Sequence, residues 1–92
     1  MKTIWKYEFA VLDLFALDMP IGAEILCVKP QQDKTCLWAL VENSAEKEKR
    51  IFYIHGTGHT ITQPENKKYI DSFFPPGSQF VWHLFELKNT DA

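Results

Sequence analysis

Two histidines frame a glycine-rich pentapeptide, His55-Gly56-Thr57-Gly58-His59, and this segment is the part of the chain best suited to chemistry. Two imidazoles on one turn can share a metal ion, and the amides of a Gly-Thr-Gly backbone can form a nest for an anion. However, a zinc site needs three or four ligands, and no Lys-Ser or Lys-Thr follows the glycines as in a P-loop. The pattern therefore favours a tight turn with locally bonded histidines. Binding of a small anionic ligand is the first alternative, and metal ligation is the second.

The two cysteines, Cys27 and Cys36, flank a predicted turn. If this turn is centred on Gln31 and Gln32, the two thiols face each other across a hairpin, where they can oxidise or bind a soft metal with a histidine. The residues around both are apolar, and cysteine is a common small core residue. We therefore expect two reduced thiols in the core.

His83 lies between Trp82 and Leu84 in an apolar run, which favours a structural histidine over a catalytic base. No serine or cysteine stands in a recognised nucleophile setting, and no motif places a pair of carboxylates. A metal-assisted hydrolase built on His55, His59 and His83 with a carboxylate is the enzymatic alternative. The sequence itself predicts a noncatalytic protein with no catalytic residue, no bound metal and no cofactor.

The elements that must position these groups are β-strands. Short apolar runs, each ended by Pro, Gly or a polar cluster, recur about every ten residues along the chain. About seven strands are predicted, at residues 3–9, 11–19, 24–29, 35–41, 50–55, 69–74 and 79–87, with a further short strand beginning at Ile61. Short connections favour pairing between sequence neighbours. We therefore predict an all-β fold, in which short antiparallel strands form a compact sandwich or a partly open barrel.

Two of these predicted strands stand out by their apolar content. Residues 35–41 are apolar on both faces, so this strand belongs in the middle of a sheet. Residues 79–87 form the longest run, which is long enough to span the whole sheet. Between strands, the mixed charges of Glu42 and residues 46–50 predict a solvated loop.

The 92 residues provide material for one domain, which we place at residues 1–88 and which is followed by a disordered C-terminal tail at residues 89–92. The formal net charge of -2 argues against nonspecific nucleic-acid binding, which depends on Lys and Arg. No run approaches the roughly 18 apolar residues of a membrane span, and the start of the sequence lacks the pattern of a signal peptide. These features predict a location in the cytoplasm, away from membranes.

Several aromatic residues suggest a contact surface. Trp5, Tyr7, Trp38 and Trp82 could form a platform that stacks bases, but the acidic balance favours a place in the core or at a subunit interface. If one sheet face is covered by a second copy, the protein is a homo-oligomer. The predicted protein-interaction residues are Trp5, Tyr7, Trp82 and His83.

Five segments follow one another in a distinctive order. They are Ile4-Trp5-Lys6-Tyr7, Met19-Pro20 with Gly22-Ala23, Leu37-Trp38-Ala39-Leu40-Val41, Gly56-Thr57-Gly58-His59 and Val81-Trp82-His83-Leu84-Phe85-Glu86. With them the chain resembles, over nearly its whole length, a family of small uncharacterised proteins encoded in bacteriophages and prophages. Ile21 departs from the family pattern, in which a polar or charged residue is expected.

The resemblance implies a phage or prophage accessory protein made in the bacterial cytoplasm, and it brings no activity or catalytic residue with it. Combined with the missing catalytic constellation, it predicts a protein-interaction module that binds a host or phage protein. The alternative is a protein that binds or sequesters a nucleotide or another phosphorylated signal at the Gly56–His59 segment.

Overall fold

The computed structural model describes residues 1–88, so the predicted tail at residues 89–92 lies outside the described residues. The all-β prediction is confirmed, and a single turn of 3₁₀-helix, Pro64–Asn66, interrupts the strands. The strands are β1 (Lys2–Phe9), β2 (Leu14–Pro20), β3 (Glu24–Gln31), β4 (Lys34–Glu42), β5 (Lys47–Gly56), β6 (Lys67–Phe73) and β7 (Trp82–Leu87). In residues 1–88, no helix has the length and apolar character needed to cross a membrane.

The strands form two antiparallel sheets, a three-stranded sheet in the order β1-β4-β3 and a four-stranded sheet in the order β2-β5-β7-β6. The prediction of pairing between sequence neighbours is therefore wrong for β1 and β2, which pair with β4 and β5. The chain crosses between the sheets after β1, so Phe9 stacks on Phe15 with ring centroids 4.9 Å apart. β1 and β2 therefore form no hairpin, and two stacked aromatic rings pack where the chain passes from one sheet to the other.

The core lies between the two sheets. From the three-stranded sheet it receives Val28, Leu37, Ala39 and Val41, and from the four-stranded sheet Met19, Phe52, Ile54, Phe73 and Leu84. β4 is the middle strand of its sheet, as its apolar sequence predicted. In β2, Phe15, Leu17 and Met19 point to the core side, also as predicted.

The β3–β4 hairpin turns one residue later than predicted. Gln31 pairs with Lys34, and Gln32 adopts the left-handed conformation with φ of 56°. Cys36 therefore faces Lys29, and Cys27 faces Trp38. Both cysteines are free, with Cys36 buried and Cys27 half-buried, because the turn sets them out of register with each other.

Several predicted strand limits are wrong. β2 begins at Leu14 instead of residue 11, and β5 begins at Lys47 instead of residue 50. The last strand begins at Trp82 instead of residue 79, because the chain turns at Pro75–Ser78, where Gly77 has a φ of 78° and the Ser78 N–H bonds the Pro75 carbonyl. Phe80 precedes the strand and is 64% exposed. No strand begins at Ile61 within the described chain, which enters the 3₁₀ turn there through Gln63 in the left-handed conformation.

Candidate functional site

The segment singled out by its histidines forms the tight turn at the end of β5. The His59 N–H donates to the Gly56 carbonyl at 3.1 Å, which closes a four-residue turn. Gly58 occupies the third position with a φ of +86°, a conformation that a type II turn requires and that other residues adopt at a cost. The glycine spacing thus fixes the reversal of the chain.

The two histidines of this turn lie on opposite sides of the four-stranded sheet. His55 points away from the core, with its ring 6.3 Å from Tyr53 and 5.4 Å from Phe85, centroid to centroid. His59 folds back on the core side against Gly56 and meets the Trp82 ring edge-on at 6.2 Å. The pair does not converge on a common metal position. Across residues 1–88, no group of three or more His, Cys, Asp or Glu side chains could hold a metal ion.

Gly56 makes room for His59. A Cβ atom added to Gly56 would lie 2.8 Å from Cε1 and 2.9 Å from Nδ1 of His59, closer than real Cβ contacts. The second glycine of the motif, Gly58, has open space around the same position. The two glycines therefore act differently. Gly56 leaves space for the His59 ring, whereas Gly58 adopts the positive φ that the turn requires.

Beside the turn lies a pocket of about 220 Å³, hereafter the turn pocket, lined by Gly56, Thr57, His59, Phe80, Val81 and Trp82. Trp82 packs against the core and forms the base of this pocket, whereas Phe80 is exposed at its edge. The walls are mainly apolar, and none of the described residues that line the pocket is Lys or Arg. The turn pocket thus suits an apolar group better than a phosphate.

A chain of hydrogen bonds runs over the outer face of the four-stranded sheet, from β6 to the turn. Tyr69 Oη is 2.7 Å from Ser72 Oγ, which is 2.7 Å from His83 Nδ1. His83 Nε2 is 2.8 Å from Thr57 Oγ1, which donates to the Val81 carbonyl. Thr57 thus belongs both to this chain and to the turn pocket.

With His83 in its neutral form, the number of protons gives the direction of every hydrogen bond in this chain. The Thr57 hydroxyl donates its proton to the Val81 carbonyl, so its oxygen accepts from His83 Nε2–H. His83 Nδ1 then has no proton and accepts from the Ser72 hydroxyl, which in turn accepts from Tyr69. His83 is therefore positioned by hydrogen bonds at both ring nitrogens.

Ser72 is the polar residue of this region that sequence reasoning missed. A serine hydroxyl that donates to an imidazole is the contact found in activated nucleophiles. Here it arises because Ser72 pairs directly with His83 in the β6–β7 register, after a shift at Ile70. No local motif identifies this contact. Only the register of the β6–β7 pair could have predicted that Ser72 faces His83.

The surroundings of His55 favour its neutral form. Its Nε2 atom is buried and has no hydrogen-bond partner among residues 1–88. Burial is the main reason that the pKa of His55 lies below its usual value, and the positive charge of Lys67 adds to the effect. Lys67 sits above the Tyr53 ring, with Nζ 4.2 Å from the centroid. This cation lies on the same face as His55, so a second positive charge there is unfavourable.

The predicted interaction residues do not form one surface. Trp5 and Tyr7 are half-buried and pack against the core from β1. Trp82 and His83 are sequence neighbours on β7, so they point to opposite faces of the sheet. Trp38 lies on the outer face of the three-stranded sheet, opposite Cys27. Of the predicted set, Trp82 is the residue that lines the turn pocket.

At the other end of β5 lies a wider open cleft of about 830 Å³, hereafter the Arg50 cleft, whose lining includes Ala23, Glu48, Arg50, Lys68 and Glu86. Arg50 donates from Nη2 to Glu86 Oε1 at 2.8 Å, from Nε to Glu86 Oε2, and from Nη1 to the Ala23 carbonyl. Only 16% of the Arg50 side chain and 13% of the Glu86 side chain are exposed. The Glu86 carboxylate raises the pKa of Arg50.

The prediction of a solvated charged loop is therefore wrong for residues 47–50. β5 already begins at Lys47, so only residues 43–46 connect it to β4. Strand alternation turns Glu48 and Arg50 towards the core side, where Arg50 finds a carboxylate on β7. These residues form a run of mixed charges, and no local pattern identifies Arg50 as the one that becomes buried.

Comparisons with known proteins give one match. Neither the search of the curated proteins nor that of the solved structures found a match to this chain. One family model matches residues 1–92, and its description is "Domain of unknown function (DUF7352)". The match spans the whole sequence, so it includes both ends of β5 and all of the side chains described above. The chain therefore belongs to this family of uncharacterised proteins.

Proposed function

We propose that this domain is a noncatalytic protein-interaction module whose turn pocket receives one apolar side chain of a partner protein. The observation that carries the proposal is the apolar lining of the turn pocket, with Trp82 at its base and Phe80 at its edge. Its volume of about 220 Å³ is below the roughly 300–1,000 Å³ of typical small-molecule sites and is on the scale of one large side chain.

The walls of the turn pocket have properties of a recognition site. Trp82 is fixed by its packing on the core, so the base is formed before a partner arrives. Phe80 exposes 64% of its surface, and its burial under a partner would contribute to the binding free energy. Buried aromatic anchors in preformed pockets dominate the energetics of many interfaces.

The alternative, a site for a nucleotide or another phosphorylated ligand, has less support. Such a ligand needs cationic donors or several converging amides. His59 and Thr57 are the polar side chains of the turn pocket, and the His59 amide already bonds the Gly56 carbonyl. If the alternative holds, a panel of nucleotides at millimolar concentration will raise the melting temperature of wild type more than that of His59→Ala.

A peptide-display selection on the intact domain tests the proposed function. We expect enriched peptides to share one large apolar residue, and we expect Val81→Trp, which fills the turn pocket, to lose their binding. Val11→Trp is the matched control, because Val11 is exposed in the β1–β2 connection outside this pocket. Peptides that bind wild type and Val81→Trp equally well, or no enrichment of apolar residues, would contradict the proposal.

We further propose that the protein is a phage or prophage accessory protein that acts in the bacterial cytoplasm. The resemblance of the five segments described above supports this context. Genomic position tests it, since the gene is expected among phage structural or regulatory genes. A gene regularly found among chromosomal housekeeping genes would contradict it.

A further inference from the structure

We propose that β1 is a self-association edge, at which two copies pair their β1 strands antiparallel so that Trp5 of one copy faces Trp5 of the other. This pairing joins the two three-stranded sheets into one continuous sheet across a two-fold axis. The inference is independent of the turn pocket. It assigns a partner, a second copy of this chain, to one strand edge.

β1 is a regular sheet edge. Within residues 1–88, β1 pairs with β4 on one side and with no strand on the other. Its eight residues follow β4 without a register shift and include no proline. A flat edge of this kind leaves backbone N–H and C=O groups ready for another strand.

Two of the other three edges are blocked against such pairing. β3 contains Pro30 and a register shift after Ile25, and its Val28 N–H is bonded to Asp71 at 2.9 Å. β6 has a register shift between Tyr69 and Asp71. Bulges, prolines and side-chain caps are common means of protecting an edge. The protection of these edges contrasts with the regularity of β1.

The fourth edge, β2, is regular but gives no charge pattern for self-recognition. Its sequence includes one charged residue, Asp18. Two antiparallel copies of β2 therefore have no opposite charges to match. β1, by contrast, carries both signs on one face.

The charges of β1 and the length of strand overlap together favour one register. Its outer face carries Lys2, Ile4, Lys6 and Glu8, all exposed. The register of two antiparallel copies is described by the sum of the numbers of two facing residues. With a sum of ten, Lys2 faces Glu8 of the other copy (2 + 8), and symmetry creates this pair twice. A sum of eight puts Lys2 opposite Lys6 (2 + 6), and a sum of twelve puts Lys6 opposite Lys6 (6 + 6). A sum of fourteen also pairs Lys6 with Glu8 (6 + 8), but it overlaps only residues 5–9, whereas a sum of ten overlaps residues 2–8. Opposite charges attract and like charges repel at facing positions, so the sum of ten combines favourable charges with the longer overlap.

This register also places an aromatic side chain, Trp5, on the two-fold axis. Trp5 is half-buried, with its ring packed against the core on one side. In the proposed dimer it lies beside Trp5 of the other copy, and Thr3 lies beside Tyr7. Facing aromatic residues stabilise antiparallel strand pairs. The same register thus pairs charges on the outer face and tryptophans on the inner face.

Sedimentation at low ionic strength, where exposed charges are least screened, tests the proposal over a range of protein concentrations. We expect wild type to form a dimer with an affinity in the micromolar range, because an edge contact is a small interface. Lys2→Glu and Glu8→Lys should each weaken the dimer roughly tenfold, since each change turns two attractive pairs into repulsive ones. Mixing the two single variants restores opposite charges at both pairs, so we expect a heterodimer with wild-type affinity.

Matched charge reversals away from β1 serve as controls. Glu65→Lys and Lys34→Glu alter exposed residues outside this strand and should leave the dimer unchanged. Melting curves of each variant show whether it is folded, and Glu8→Lys is the more informative single change because Lys2 faces Glu42 within the chain. A wild type that stays monomeric at every concentration overturns the proposal. So does a dimer that neither charge reversal weakens, or a mixture that fails to form the heterodimer.

Discussion

The turn pocket and the Arg50 cleft lie at opposite ends of the same strand, β5, yet they offer a partner very different surfaces. At the Arg50 cleft, Glu48 and Arg50 face the core side, and Arg50 is bound to Glu86 and to the Ala23 carbonyl. At the turn pocket, Gly56 has no side chain, so space remains between its neighbours. The larger cleft has its buried guanidinium satisfied within the chain, whereas the smaller pocket presents apolar walls.

This contrast suggests a way to choose between two clefts, which is to ask which polar groups are already bonded within the chain. A guanidinium with three internal hydrogen bonds has little left to offer a ligand. An apolar pocket with an exposed phenylalanine at its edge gains from being covered. We therefore propose a structural role for Arg50 and Glu86 in the Arg50 cleft and a binding role for the turn pocket, and the following predictions test that division.

Removal of the buried ion pair should give the largest change. Arg50→Met leaves the Glu86 carboxylate and the Ala23 carbonyl without their donor in a largely buried position. We expect the free energy of unfolding to fall by about 3 kcal/mol. Urea denaturation measures this loss, and Lys49→Met is the control because Lys49 is exposed on the same strand. If Arg50→Met is as stable as Lys49→Met, the ion pair has no structural role, and the proposed division is contradicted.

A change in the backbone of the turn should come next. Gly58→Ala forces alanine into a φ of +86°, and we expect a loss of about 1 kcal/mol in the free energy of unfolding. Gly58→Asn should lose less, since asparagine adopts this conformation more readily. The two variants are compared by thermal denaturation. Equal stability of Gly58→Ala and wild type would mean that the turn relaxes to another conformation.

The hydrogen-bonded chain should contribute slightly less. Ser72→Ala removes the donor to His83 Nδ1, so we expect a loss of about 1 kcal/mol at most and a shift in the imidazole ¹⁵N signals of His83. Thr57→Val perturbs the other ring nitrogen. Unchanged ¹⁵N signals in both variants would contradict the directions assigned to these bonds.

The pH dependence due to His55 should be the smallest effect. Because the folded protein lowers the pKa of His55, the neutral form stabilises the fold above the unfolded pKa of about 6.5, and this stability is lost as the pH falls through the lower folded value. We expect the melting temperature to fall between pH 7.5 and pH 5, and to fall less in His55→Phe. An equal pH dependence of the melting temperature in the two proteins would show that other groups cause the loss of stability at acidic pH.

The features that followed local patterns were predictable. Alternating aromatic residues in β1, alternating apolar residues in β2, the doubly apolar β4 and the glycine turn after His55 are all properties of a few consecutive residues. They fixed the fold class and the position of the turn.

The features that depend on strand pairing were not predictable from local patterns. A shift of one residue in the β3–β4 turn separates Cys27 from Cys36, and the β6–β7 register brings Ser72 to His83. The burial of Arg50 depends on a carboxylate on a distant strand. A one-residue slip reverses the side that every residue faces, so these contacts are fixed only once the sheet is assembled.

The most direct test of the turn pocket is a ¹H–¹⁵N NMR titration of the intact domain with N-acetyl-phenylalanine amide, the simplest model of an apolar partner side chain. We predict saturable shifts of the Trp82 indole signal and of the amides of residues 56–59 and 80–82. We also predict that inorganic phosphate at the same concentration leaves these signals in place. Shifts produced by phosphate but not by the apolar compound, or shifts centred on the Arg50 cleft, would contradict the account.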